Sequence, residues 1–221
     1  MPTTVDRHRL LTLLGNGVQL VEVLPPAEYD DEHLPGAISL PLEEIDQRAA
    51  EVLDRGRPVV VYCWDAVSDM SPRAAWRLET LGFAAVFRYA GGKADWMAAG
   101  HATEGLGAAR PRVGQRARRN VPRSRLDERR GEAATRAHAA RWRMSIVVNE
   151  HDIVLGVLEG TMLDGDPDTT VACAMHPGPS TFRAHMPVTE LADFLDKRGL
   201  HRGIITTPDG ELIGVVFRDD L

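Results

Sequence analysis

Val59-Val60-Val61-Tyr62-Cys63-Trp64-Asp65-Ala66-Val67-Ser68-Asp69-Met70-Ser71-Pro72-Arg73 runs from four apolar positions, through a short mixed loop, into a segment that opens like a helix. A strand apolar at every position suits one covered on both faces, as in a parallel sheet. Beyond the loop, Ser71 can cap free helix amides, Pro72 suits the first helical position and Gly82 ends the segment, so a helix is expected over Pro72 to Leu81. The loop leaves the carboxyl end of a central strand, where open α/β sheets place their ligands. Chemistry is therefore expected just before Ser71.

Upstream, Leu20 to Val23 reads as a second strand ahead of Pro25 and Pro26, and Leu42 to Arg55 as an amphipathic helix. Alternation of strand and helix implies an α/β domain. Beyond Gly100 the chain loosens into Gly-Leu-Gly-Ala-Ala-Arg-Pro-Arg-Val-Gly, which marks a domain boundary. The second half of the chain contains an internal repeat. Residues 144–158 read MSIVVNEHDIVLGVL and residues 202–216 read RGIITTPDGELIGVV, each a hairpin pattern closing on Gly-Val at a constant offset of 58 positions. Extended backward, the offset lays the helix-like 131–141 over 189–199. A helix and hairpin occurring twice is the mark of units that bury their faces against one another. The expected organisation is a first domain over 1–104, an Arg-rich linker over 105–119, and a pair of repeats over 120–221, divided near 166.

The 221 residues suffice for two ordinary domains, and 43% apolar with 26% charged residues is a globular composition. A net charge of −6 disfavours a whole-chain affinity for nucleic acid or anionic membranes. The arginines between Arg110 and Arg143 form a basic belt within this acidic chain, read as a solvated linker and helix face; nucleic acid is not an expected partner. Two cysteines, Cys63 and Cys173, leave no disulfide framework, and a reducing cytoplasm is the expected setting. No stretch is long enough to span a bilayer, and no His/Cys/Asp spacing suggests a metal site.

Val21-Glu22-Val23-Leu24, Tyr29, His33-Leu34-Pro35-Gly36-Ala37-Ile38, then Val60-Val61-Tyr62-Cys63, Ser71-Pro72-Arg73-Ala74-Ala75, Leu81-Gly82-Phe83 and Gly91-Gly92 with Trp96 resemble, in order and spacing, the rhodanese family. The resemblance implies a five-stranded parallel sheet flanked by helices and, in active members, a cysteine that carries persulfide sulfur from a donor to an acceptor. Anchored on the strand end, the nucleophile is Cys63. Anchored on the helix start, where Arg73 closes the loop, the nucleophile position holds Ser68. Serine forms no persulfide and its alkoxide is inaccessible at neutral pH, so that alignment implies loss of sulfur transfer.

The hairpins, with Met175-His176-Pro177-Gly178-Pro179-Ser180-Thr181-Phe182, resemble a tandem pair of CBS domains, an α+β module whose clefts often hold adenine nucleotides and whose pairs often associate side by side. The resemblance implies AMP, ATP or S-adenosylmethionine as a regulatory ligand, no required cofactor, and a homodimer. In the family a glycine and two apolar residues are followed by Ser or Thr and, three positions on, Asp. Here Glu159 and Met162 take those places in the first repeat; the second keeps Asp220 but has Phe217 at the hydroxyl. Asp220, Thr206, Thr207, Ser180 and Thr181 are the candidate ligand contacts. The chain thus reads as a fusion of a sulfur-carrying or catalytically degenerate domain with a sensing or dimerising pair, the alternative being a wholly non-catalytic regulatory module.

Overall fold

A computed structural model describes residues 2–221. The chain forms two compact units, one running to Met97 and including His101–Arg110, the other comprising Ala98–Gly100 and Pro111–Leu221.

In the first unit β1 (Thr3–Val5), α1 (Arg7–Gly15), β2 (Gln19–Glu22), α2 (Pro26–Asp31), β3 (Ile38–Ser39), α3 (Ile45–Val52), β4 (Val59–Tyr62), α4 (Met70–Thr80), β5 (Val86–Tyr89) and α5 (Gly92–Ala98) alternate. The strands form one sheet in the order β1-β5-β4-β2-β3, with every neighbouring pair parallel. The two-residue side-chain period sends Val59, Val61 and Cys63 of the β4 run into one core with Ile45, Ala49, Ala74 and Leu78, while Val60 and Tyr62 enter another with Leu10, Leu13 and Trp96. Helices thus cover both faces, which explains the unbroken apolar run of β4.

Helix α4 starts at Met70, two residues before the position expected from Pro72, and Asp69 ahead of it makes no side-chain cap. Ser71 lies inside the first turn, fully buried, and its hydroxyl faces the sheet, 3.1 Å from Cys63 Sγ and 3.2 Å from Arg88 Nε. A nonlocal partner has displaced the local capping role.

The second unit contains α6 (Val113–Arg116), β6 (Arg123–Ser124), α7 (Arg130–Ala139), β7 (Met144–Val148), β8 (Val154–Glu159), α8 (Val171–Ala174), β9 (His176–Pro177), β10 (Thr181–Arg183), α9 (Val188–Arg198), β11 (Arg202–Thr206) and β12 (Leu212–Phe217). Adding 58 to the bounds of α6, β7 and β8 gives those of α8, β11 and β12, and the register shift at Val147/Val148 recurs at Ile205/Thr206. In each repeat a short strand runs parallel to the first hairpin strand, whose partner is antiparallel.

The repeats exchange their opening helices. Val113 of α6 packs with Phe182, Leu191 and Ile205 of the second repeat, and Val171 of α8 packs with Ala133, Ala137 and Leu158 of the first. The bridge Arg129–Thr170 accordingly recurs as Arg112–Pro187, the pairing expected of a local two-fold axis. A third cluster, including Trp142, Ile146, Val157, Ile204 and Val215, is shared by both repeats. Residues 113–116, within the expected linker, are therefore part of the repeat architecture, and Val113 is fully buried.

Candidate functional site

The loop after β4 is held from below by Gly91-Gly92. The amides of Lys93 and Ala94 donate to the carbonyls of Cys63 (2.9 Å) and Trp64 (2.8 Å). This approach requires glycine. Gly92 has φ +62, and a Cβ there would lie 2.6 Å from the Cys63 oxygen and 2.7 Å from that of Trp64.

Beneath the loop lies a buried polar network. Lys93 Nζ donates to Glu22 Oε1 (2.7 Å) and to the Glu28 carbonyl (2.8 Å), with Lys93 1% and Glu22 0% exposed. The Tyr62 hydroxyl donates to Glu22 Oε2 (2.6 Å) and accepts from the Leu34 amide (3.0 Å). Burial pushes the Glu22 carboxyl above its ordinary range, against the hydrogen bonds of Lys93 and Tyr62, which pull it down. Burial, reinforced by Glu22, drives the Tyr62 phenol far up, so it stays protonated as a donor. A carboxylate in the otherwise apolar run Leu20-Val21-Glu22-Val23 was the sequence signal for this network; its lysine partner, 71 positions on, was not visible there.

Cys63 is completely buried; its thiol faces the carbonyls of Asp65 (3.6 Å) and Ser68 (3.8 Å) as well as Ser71. Ser68 is half-buried in the loop above. The amides of Val67 and Ser68 donate to Asp65 Oδ1 at 3.0 and 2.9 Å, so two of the loop's donors are spent on its own carboxylate. Arg73 is exposed, 3.7 Å from Asp69, and lines an open cavity of roughly 500 Å³ with Pro25, Pro41, Leu42 and Met70. Cys63 and Ser68 are not among the lining residues of that cavity.

Of the five candidates of the second unit, Thr181 and Thr206 meet on one arginine, and Asp220 is paired with another. Thr206 is fully buried and accepts from Arg183 Nη1 at 2.7 Å; Thr181 accepts from the same nitrogen at 3.2 Å. The Thr207 hydroxyl accepts the Glu211 amide, closing the β11–β12 turn, and Ser180 is exposed. Asp220 is engaged elsewhere. Arg118 donates to both its oxygens, at 2.9 and 2.7 Å, holding the carboxyl below its usual range, and the guanidinium also lies 4.8 Å above the Phe217 ring. Other arginines of the belt are likewise spent within the chain, Arg110 on Asp31 and Arg136 on Glu128. Among the described residues no group of His, Cys, Asp or Glu could hold a metal, and no helix is long and apolar enough to cross a membrane.

The Rhodanese-like domain family model matches residues 6–99. The HTH-type transcriptional regulator Rv0324 of Mycobacterium tuberculosis is 40% identical over 97 residues, 43% of this chain and 42% of that protein, so the chain spans less than half of that relative. The thiosulfate sulfurtransferase GlpE of Coxiella burnetii is 31% identical over 81 residues, 37% of this chain and 73% of the enzyme. Among solved structures, the AcuB protein from Vibrio cholerae aligns with a TM-score of 0.46 at 16% identity, over 50% of this chain and 87% of that one. With β2 to β5 of the parallel sheet, the Gly91-Gly92 support and the loop after β4 all falling within the matched segment, the chain belongs to the rhodanese-like domain family.

Proposed function

We propose that this chain is a regulatory protein in which a rhodanese-like domain without sulfur-carrying activity is joined to a CBS-type repeat pair that senses an adenine-bearing ligand such as AMP, ATP or S-adenosylmethionine and associates with a second copy of itself. The observation that carries the first part is Asp65. Its carboxylate takes the Val67 and Ser68 amides, leaving fewer donors for an incoming thiosulfate or a persulfide anion. Ser68 itself cannot hold sulfane sulfur. The second part is supported by the two-fold exchange of opening helices and by the shared core.

A second reading keeps Cys63 as the carrier, favoured by the Ser71 hydroxyl, which could donate to a thiolate 3.1 Å away. There the thiolate attacks the outer sulfur of thiosulfate, the S–S bond breaks with release of sulfite, and the persulfide passes its sulfur to a nucleophile. Thiocyanate formation from thiosulfate and cyanide separates the two. The expected result is a background rate for the full chain, equal to that of Cys63→Ala; a rate well above background that Cys63→Ala abolishes overturns the non-catalytic reading.

A further inference from the structure

Arg141 stands just past α7 with φ +60, the left-handed region that disfavours L side chains and suits glycine. Its counterpart 58 positions on is Gly199, φ +61, just past α9. The surrounding bonds are the same in both repeats. Trp142 N donates to the Ala137 carbonyl and Leu200 N to that of Leu195. The turn therefore needs the conformation, and one repeat meets it with the residue suited to it while the other does so with a strained arginine. The hairpin turns show a similar substitution, Asp152 against Gly210, but aspartate tolerates this region and arginine gains nothing locally from it. Strain of this kind points to what the side chain faces.

Arg141 lines a cavity of about 430 Å³ with Arg143, Trp142, Phe217 and Arg118. Arg118 is neutralised by Asp220, whereas Arg141 and Arg143 have no ion-pair partner among the described residues. Two uncompensated guanidinium groups thus share a pocket with an aromatic pair, Trp142 and Phe217, whose rings are 5.7 Å apart. Guanidinium forks match phosphate oxygens, and aromatic faces match a heterocyclic base. The pocket lies within the usual size range of small-ligand sites.

We infer that Arg141 and Arg143 hold the phosphate of a phosphorylated nucleoside in this cleft, and that Asp220, committed to Arg118, plays no part in holding it. The inference rests on the proposed sensing function and assigns the phosphate contact to residues other than the five candidates named from sequence.

Calorimetric titration of the full chain with AMP and with adenosine tests it. AMP binds; adenosine binds at least about tenfold more weakly, since each charge-assisted phosphate contact is worth roughly that factor or more. Arg141→Gly loses about tenfold or more in AMP affinity while its melting temperature stays the same or rises, because glycine relieves the left-handed turn. Arg143→Gln loses affinity similarly, whereas Asp220→Ala does not weaken binding, since it only frees Arg118 at the same cavity. AMP binding that Arg141→Gly and Arg143→Gln leave unchanged, or adenosine binding as tightly as AMP, overturns the phosphate assignment but leaves nucleotide sensing intact. Absence of binding by both AMP and ATP overturns the phosphate inference, and if S-adenosylmethionine fails to bind as well, the sensing reading falls with it.

Discussion

Replacing Lys93 with methionine tests the buried network under the β4 loop. The ammonium is 1% exposed and makes two hydrogen bonds, one to a carboxylate that is itself 0% exposed. Methionine fills similar volume but leaves Glu22 with only the Tyr62 hydroxyl, and leaves the Glu28 carbonyl without its Lys93 donor. Breaking a buried ion pair from one side costs about 3–5 kcal/mol, because the surviving charge is left uncompensated. Glu22 limits this cost by taking up a proton. Burial already raises its pKa, and removing the hydrogen bond and charge of Lys93 raises it further.

A carboxyl whose folded pKa lies above its unfolded value stabilises the fold below the unfolded pKa and loses that contribution as pH rises through the folded one. The Lys93→Met penalty should therefore be smallest near pH 4.5, the ordinary value for Glu22, and grow toward about pH 8. Urea unfolding at several pH values, with hydrogen exchange of the β4 peptide reporting the first unit alone, measures it. Replacing both partners, as Glu22→Leu with Lys93→Met, should recover most of the loss, since an apolar pair removes the buried charge as well as its partner. A penalty below about 1 kcal/mol at pH 7, or one independent of pH, refutes the account.

Gly92→Ala should destabilise the first unit by at least about 2 kcal/mol, since its Cβ would sit 2.6 Å from the Cys63 oxygen in a left-handed conformation; a thermal melt checks it, and an unchanged midpoint would contradict the clash. Thiol titration of the folded chain should give one fast-reacting sulfhydryl, the exposed Cys173, and a second only in denaturant, because Cys63 is wholly buried.

The parts of the fold legible in the sequence are those written in local pattern. The unbroken run Val59–Tyr62 announced a doubly covered strand, and the 58-residue offset carried over to strand ends and even to the register shift at Val147 and Ile205. The parts missed depend on partners distant along the chain. Ser71 looks like a cap until Cys63 and Arg88 claim its hydroxyl. Val113-Gly-Gln-Arg and Val171-Ala-Cys-Ala share little beyond their valine, so the opening helices could not be matched by eye, although each valine is buried in the opposite repeat. Asp220 reads from sequence as a candidate ligand contact, but the arginine that occupies both its oxygens lies 102 positions away.

The second unit departs from its own symmetry around the cleft of Phe217. Central positions of the shared core keep their character across the offset, Ile146 against Ile204 and Val157 against Val215, because each side must fill the space its counterpart leaves. Positions around the cleft are free to diverge, and they do: Arg118 answers to His176, Arg141 to Gly199, Trp142 to Leu200 and Phe217 to Glu159. All four differences fall on the cleft around Phe217, and each places a guanidinium or a large apolar ring there that its twin position lacks. Packing alone gives no reason for charge and aromaticity to gather on one side of a symmetric scaffold, whereas a ligand recognised by a single cleft does.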